Sequence, residues 1–358
     1  MSSTVAPRNR RVLFQVRNRR GLGHLMRVQN IATALRDRSP QLDLHFHAAL
    51  PPTDELWDPT LFVTDDTVIG WPERARTCDP DVVVYDTVLP EANARLVSDR
   101  AKYVFVMRRM LEDRGAELFD DPFLERFEIV IVPHTETEFG QQIPNRLAGR
   151  THFVGTIARQ PHPASAATMR ARFGLGDAEM LLTSTVGGGG FQRQADRFFE
   201  AVLHTGRAVA AALPNVRHVV VLGPNYHNTS MAADLAEVPG TIVVGNEPRM
   251  VDLLAASTLV VAEGGYNTVN EVRLGAVPAV FVPSDRGLDD QIERVRRLEQ
   301  LGAAAVWLPD GAPATLATTV IDLLGNEQRR REMRSNHRMA PVELGNERAA
   351  ELIAAVAA

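Results

Sequence analysis

Two blocks of this chain combine residue types and spacings suited to chemistry on a phosphorylated substrate. The first is Glu263 to Glu271 (EGGYNTVNE), followed by Gly275, Pro278, Pro283 and the pair Asp290-Gln291. A strand over Thr258 to Ala262 that runs into Gly264 and Gly265 and then a helix leaves free N–H groups aimed at the turn, which suits a phosphate. Glu271, one turn into that helix, is placed to accept hydrogen bonds from ribose hydroxyls. Asp290 and Gln291 open the next helix and suit the hydroxyls of a sugar. Together these groups fit a nucleotide sugar. The second block, Gly21-Leu22-Gly23-His24, follows a strand and opens a helix whose apolar stripe includes Val28, Ile31 and Leu35. At a helix N-terminus the imidazolium is disfavoured, so His24 is expected to be neutral near pH 7 and able to take a proton from a hydroxyl.

Three further groups belong beside these. Asp86 ends the strand Val82 to Tyr85, so its carboxylate should emerge at the same sheet edge as His24 and orient the imidazole. Gly187 to Gly190 joins a strand to a helix beginning near Gln192, and four glycines let the backbone curl around an anion. Arg17, Arg19, Arg20 and Arg27 surround the His24 loop and would attract an anionic group or face solvent as a charge cluster. Each has a structural alternative. His24 also suits a core or capping histidine, Asp86 an N-cap or turn aspartate, and the four glycines a flexible loop. Thr268-Val269-Asn270-Glu271 also fits a capping box, which would use the same Glu271 oxygens. A dinucleotide oxidoreductase needs a third glycine where Met26 stands, and that reading fails.

The elements that must position these groups are legible as short β-branched runs alternating with helical stretches. In the first half Val12 to Val16, Leu42 to Phe46, Val82 to Tyr85, Tyr103 to Met107 and Ile129 to Val132 read as buried parallel strands. Arg159 to Ser165 (RQPHPAS) reads as a linker. The second half repeats the pattern with Leu181 to Thr185, His218 to Leu222, Thr241 to Val244, Leu259 to Ala262, Ala279 to Val282 and Ala304 to Leu308. Asn326 to Met339 is an Arg-rich helical stretch, and Ala349 to Ala358 a small apolar one.

With 358 residues the chain exceeds one ordinary core and calls for two domains. A hydrophobic content of 45% and a formal net charge of -5 suit a globular protein and argue against general nucleic-acid binding. Cys78 is the single cysteine, which forbids an internal disulfide and fits a reducing cytoplasm. No stretch approaches the roughly 18 apolar residues of a spanning helix, and Val12 to Val16 is too short for a signal-peptide core. Lys102 is the only lysine among 39 Lys and Arg, a bias that reads as a GC-rich genome.

The nine-residue block resembles the donor signature of GT-B glycosyltransferases, both the UDP-glycosyltransferases and the peptidoglycan N-acetylglucosaminyltransferase group of family 28. The match is carried by Gly265, Tyr266, Asn267, Thr268 and Glu271. The resemblance implies an α/β GT-B fold, with two Rossmann-like doubly wound domains facing a central cleft. The acceptor domain would take residues 1–157, a linker 158–166, the nucleotide-sugar domain 167–335, and a helix in 336–358 would return to the first domain. It implies an inverting hexosyltransferase that moves a sugar from a pyrimidine nucleoside diphosphate, UDP ahead of dTDP, to an acceptor hydroxyl. The Arg-biased composition adds secondary-metabolite biosynthesis as the setting. His24 is then the general base, with Asp86 beside it. Donor contacts fall to Gly187, Gly188, Gly189, Arg249, Met250, Gly264, Gly265, Asn267, Thr268, Glu271, Asp290 and Gln291, with backbone near Arg249 and Met250 recognising the base. Acceptor contacts fall to Arg19, Arg20 and Gly23.

No cofactor or obligatory metal is implied, only the nucleotide-sugar co-substrate. The expected location is cytoplasmic, with peripheral membrane contact open. Two departures stand out: Glu263, where plant-type relatives carry His beside the diphosphate, and Arg294, where Asn is usual. Gly21 to Arg27 (GLGHLMR) also resembles the loop of a nucleotide-sugar hydrolase in which His activates water. GT-B epimerases and a catalytically silent glycosyltransferase-like partner are the other relatives.

Overall fold

The computed structural model describes residues 8–16, 21–48, 58–63, 70–176, 178–287 and 289–358. The chain divides into two compact units. The first contains His24–Ala158 and Glu343–Ala358 together with the opening strand, and the second contains Arg159–Val342.

The first unit is built on six strands, β1 (Arg11–Val16), β2 (Asp43–Ala48), β3 (Val82–Asp86), β4 (Lys102–Val106), β5 (Phe127–Val132) and β6 (Thr151–Phe153). They form one parallel sheet in the order β2-β1-β3-β4-β5-β6. The runs RVLFQV and VVVYD are apolar almost throughout, as strands covered on both faces must be. Leu13, Val83, Tyr85, Phe105 and Phe127 fill one core, and the helix Gly23–Arg38 buries Leu25, Val28, Ile31 and Leu35. The helix Asn346–Ala357 lies against β4 and β5. It is tied there by Lys102 Nζ donating to the Val356 carbonyl at 2.7 Å and by paired bonds between Asn346 and Ala158.

The second unit has β7 (Met180–Thr185), β8 (Val216–Val221), β9 (Thr241–Val244), β10 (Leu259–Ala262), β11 (Ala279–Phe281) and β12 (Ala304–Val306). Its parallel sheet runs β12-β11-β10-β7-β8-β9. On one face the helices Gln192–Ala212 and Pro313–Gly325 pack together, with Phe198, Phe199 and Val202 in the same core as Leu316, Val320 and Leu324. Ser165 is not linker backbone: it opens the helix Ser165–Arg172, and the backbone N–H of His162 is held by Asp252 Oδ1 at 2.8 Å. The Arg-rich helix Glu327–Met339 belongs to this unit, since Met333 enters its core and Asn336 donates to the Gly302 carbonyl at 3.0 Å. The crossing to the first unit therefore comes at Glu343 rather than at residue 336, with Thr156 and Leu344 forming a parallel bridge.

In both sheets the first strand sits inside, with successors added on one side and then on the other. That produces a switch point between β1 and β3 and another between β7 and β10. Loops leaving the carboxyl ends of such strand pairs diverge to opposite faces and open a crevice, the usual ligand site of doubly wound sheets. His24 follows β1 and Asp86 ends β3, while Gly187 to Gly190 follow β7 and Gly264 to Gly265 follow β10. The chemistry-bearing residues of each unit therefore collect at its switch point.

Candidate active site

At the switch point of the first unit, His24 is the second residue of the helix Gly23–Arg38 and turns its Nδ1 to Asp86 Oδ2 at 2.5 Å. Asp86 is fully buried. Its other neighbour is Arg27, whose Nε donates to Oδ1 at 2.8 Å and whose Nη2 donates to Oδ2 at 3.0 Å and to Thr87 Oγ1 at 2.9 Å. His24 and Arg27 stand three residues apart on one helix face, so both reach the same carboxylate. Burial would raise the Asp86 carboxyl, but the Arg27 guanidinium and His24 overcome it and hold the group at about 2. Asp86 is therefore ionised and accepts the Nδ1 proton. That leaves the Nε2 lone pair of His24 unblocked, on a side chain 19% exposed. Burial lowers the His24 pKa, Asp86 opposes that, and Arg27 and Arg108 add to the lowering, so the ring is neutral near pH 7.

Arg27 corrects a sequence expectation. It is not part of a surface cluster but 2% exposed and committed to Asp86. Its spacing from His24 was the available signal, but its carboxylate partner is distant in sequence. Arg17, Arg19 and Arg20 lie outside the described residues. Gly23 is placed as the first residue of the helix.

At the switch point of the second unit, β7 and β10 pair in parallel with Thr185 opposite Ala262, which brings the two glycine turns side by side. Gly187 and Gly189 adopt positive φ, 70° and 73°. The turn is pressed against the chain after β8, where a Cβ on Gly223 would lie 2.3 Å from the Gly187 carbonyl. The long helix Gln192–Ala212 begins directly after it with no side-chain cap on its first amides. The helix Tyr266–Leu274 likewise starts from Gly265 with no side-chain cap. Both turns thus end in uncapped helix N-termini.

The helix start also decides between the two readings of Glu271. Because the N-cap is Gly265, Thr268 is already inside the helix and the capping box does not form. Glu271 is half-buried, and burial raises its carboxyl to about 8, with Arg159 acting weakly in the opposite direction. Among the described residues its side chain makes no hydrogen bond, and Asn267 Oδ1 nearby in sequence is buried without a partner. Asn267 and Glu271, four residues apart, lie on one helix face.

Other expected contacts are altered. Asp290 caps the helix Gln291–Gln300, its Oδ1 accepting from Glu293 N at 3.0 Å. Gln291 is 3% exposed and its amide oxygen accepts from Ser284 N at 3.0 Å, so only its NH2 remains to donate. The Arg249 backbone N–H is taken by Glu247 Oε1 at 2.9 Å, which removes it as a donor to a base. Met250 begins the helix Met250–Ala256, with Arg249 at its N-cap position. Arg294 pairs with Asp289 at 2.5 Å and donates to the Gly264 carbonyl at 2.8 Å. Glu263 is 3% exposed and forms an ion pair with Arg286. Arg286 carries no motif in the sequence; only the anomaly of a carboxylate at position 263 pointed to a compensating cation.

Comparison with known proteins agrees with this architecture. Residues 185–351 match the glycosyltransferase family 28 C-terminal domain. A UDP-N-acetylglucosamine--N-acetylmuramyl-(pentapeptide) pyrophosphoryl-undecaprenol N-acetylglucosamine transferase of Salinibacter ruber is 40% identical over 119 residues, covering 32% of each chain. The protein of the same description from Paenarthrobacter aurescens is 28% identical over 221 residues, 58% of this chain and 56% of that one. The chain thus spans between 32% and 56% of the length of these two curated relatives. Among solved structures, the glycotransferase of kitacinnamycin superposes with a TM-score of 0.60 at 18% identity, covering 98% of this chain and 100% of that one. In fold, then, the chain is a two-unit α/β protein of the GT-B type, resembling the peptidoglycan N-acetylglucosaminyltransferase group, and most of the family 28 match falls in its second unit.

Proposed function

We propose that the protein is an inverting glycosyltransferase that moves a hexose from a UDP-sugar to a hydroxyl of a small-molecule acceptor. The observation that carries this reading is the His24–Asp86 pair at the first switch point, with Nδ1 committed to the carboxylate and Nε2 left to accept a proton. Asp86 fixes the tautomer and would stabilise the imidazolium formed as the acceptor hydroxyl gives up its proton. The resulting alkoxide attacks the anomeric carbon, the C–O bond to the diphosphate breaks on the opposite side, and the configuration inverts. The departing nucleoside diphosphate gains negative charge, which the uncapped amides after Gly187 to Gly190 and Gly264 to Gly265 are suited to stabilise. Glu271 would accept the ribose hydroxyls. UDP as the nucleotide is supported by the names of the relatives and by where the family match lies, since residues 185–351 include both glycine turns and Glu271. That span leaves His24 and Asp86 outside, so it speaks for the donor and not for the acceptor. A hydroxyl-bearing secondary metabolite is the acceptor class we favour.

The test is release of UDP from a panel of UDP-hexoses, with and without candidate acceptors, for wild type and His24→Ala. Acceptor-dependent release that His24→Ala lowers about 100-fold or more supports the reading. Rapid release of free sugar without acceptor would show a hydrolase instead.

A further inference from the structure

The Glu263–Arg286 ion pair has no counterpart in the donor signature. A lone carboxylate at the end of β10 would repel a diphosphate; here it is neutralised from the loop that follows β11. Arg286 is held at three points. Its Nη2 pairs with Glu263, its Nε donates to Ser284 Oγ at 3.0 Å, and its guanidinium lies 4.1 Å from the centroid of the Phe191 ring. Ser284 in turn is fixed by its N–H to Gln291 Oε1. A planar cation clamped along one edge and one face has lost most of its rotamer freedom, so further hydrogen bonds cost little entropy. Its remaining edge carries no hydrogen-bond partner among the described residues. That guanidinium lines an open depression of about 540 Å³, together with Arg193, Phe191 and the first turn of the helix Gln192–Ala212. One acid, Asp285, also lines it, and its Oδ1 is occupied by the Gly287 N–H at 3.0 Å. Positive side chains and an uncapped helix N-terminus thus converge on one space.

We infer that Glu263 and Arg286 act as a unit in which the buried carboxylate aims the guanidinium at the terminal phosphate of the leaving nucleoside diphosphate. Glu263 is the positioning residue and Arg286 the ligand contact. The inference rests on the donor-binding reading above and assigns its phosphate cation to a loop outside the nine-residue block. An Arg placed there neutralises charge that grows as the sugar departs, so it contributes more in the transition state than in the ground state.

The experiment is calorimetric titration of UDP and UMP into wild type, Arg286→Gln, Arg286→Lys and Glu263→Gln. UMP lacks the terminal phosphate and serves as the internal control for folding and nucleoside binding. The expected result is a UDP-to-UMP affinity ratio that falls about 10- to 100-fold in Arg286→Gln, the weight of one charge-assisted hydrogen bond. UMP affinity itself should be unchanged. Arg286→Lys should retain part of the ratio, and Glu263→Gln should lower it with Arg286 intact. An unchanged ratio in Arg286→Gln overturns the inference and leaves the donor reading standing. Equal losses of UDP and UMP mark a merely structural role and also overturn it. A normal ratio in Glu263→Gln overturns the coupling. Failure of wild type to bind either nucleotide removes the inference and the donor reading together.

Discussion

Asp86 Oδ2 lies 2.5 Å from His24 Nδ1 while Arg27 brackets the same carboxylate through two nitrogens, so one buried acid serves both a structural cation and the candidate base. The two demands separate experimentally. Asp86→Asn keeps the shape, removes the charge, and allows the ring to present the wrong tautomer. Transfer is expected to fall by about 10³- to 10⁴-fold, as when the orienting acid of a triad becomes an amide. UDP affinity should not change, because Asp86 belongs to the unit without the glycine turns. The same substitution strands Arg27 in the interior at a cost of about 3–5 kcal/mol. Urea unfolding of Asp86→Asn against Asp86→Asn/Arg27→Met reads that cost, and the double variant should recover stability without recovering transfer.

Gly223 has φ 91°, and an added Cβ would meet the Gly187 carbonyl at 2.3 Å and Gly189 N at 2.8 Å. Gly223→Ala must therefore displace the glycine turn that precedes the helix Gln192–Ala212. We expect a loss of about 2 kcal/mol or more from the strained backbone and the clash. UDP affinity should drop at least tenfold, read by calorimetry beside thermal unfolding. A variant of normal affinity would show that the turn does not touch the ligand.

Much of this was legible beforehand, for a physical reason. Strands covered on both faces write continuous apolar runs, so β9 and β10 fall on the expected residues and the other strands expected from those runs within two. Asp86 and His24 could be placed together because a parallel sheet collects the carboxyl ends of its strands at one edge. What stayed hidden depended on partners remote in sequence. Arg27 looked like one more surface arginine because Asp86 is 59 residues away. Arg286 sits in a loop without periodicity. A capping box over Thr268 to Glu271 fitted the spacing because helix starts are ambiguous by a residue or two, and here the start at Tyr266 decides the matter. Arg249 kept its position but lost its free N–H to Glu247, a local bond that spacing does not reveal.

His218 is buried on β8 with Nε2 and Ser184 Oγ 2.8 Å apart, and burial lowers its pKa to about 4. Burial lowers His337 to about 4 as well. Both folded values lie below the unfolded value of about 6.5, so the unfolded chain binds protons that the folded one refuses. The stability these neutral rings contribute is complete above about pH 6.5 and is lost as pH falls toward 4, at up to about 1.4 kcal/mol per unit for each ring. Urea unfolding at pH 7.5 and pH 5 should show the loss, and His218→Gln should flatten the profile.

Glu271 titrates in the opposite sense. Its folded value of about 8 exceeds that of an unfolded carboxyl, so ionising it in the free protein costs stability as pH rises from about 4 to 8. Glu271→Gln should raise Tm at pH 8 in the absence of ligand, by about 2–4 °C for each kcal/mol recovered. Ribose hydroxyls bond best to the ionised form. Nucleotide affinity in the wild type should therefore rise with pH up to about 8, by at most tenfold per unit, and binding below that pH should release a proton. Calorimetry in two buffers of different ionisation enthalpy measures the release.

The most direct test is equilibrium titration of UDP, dTDP, GDP and NAD into wild type and Glu271→Ala at pH 8. A pyrimidine diphosphate should bind wild type, GDP and NAD should bind far more weakly, and Glu271→Ala should lose the pyrimidine nucleotide while remaining folded. Absence of binding by either pyrimidine diphosphate, or equal binding by wild type and Glu271→Ala, would contradict the donor reading.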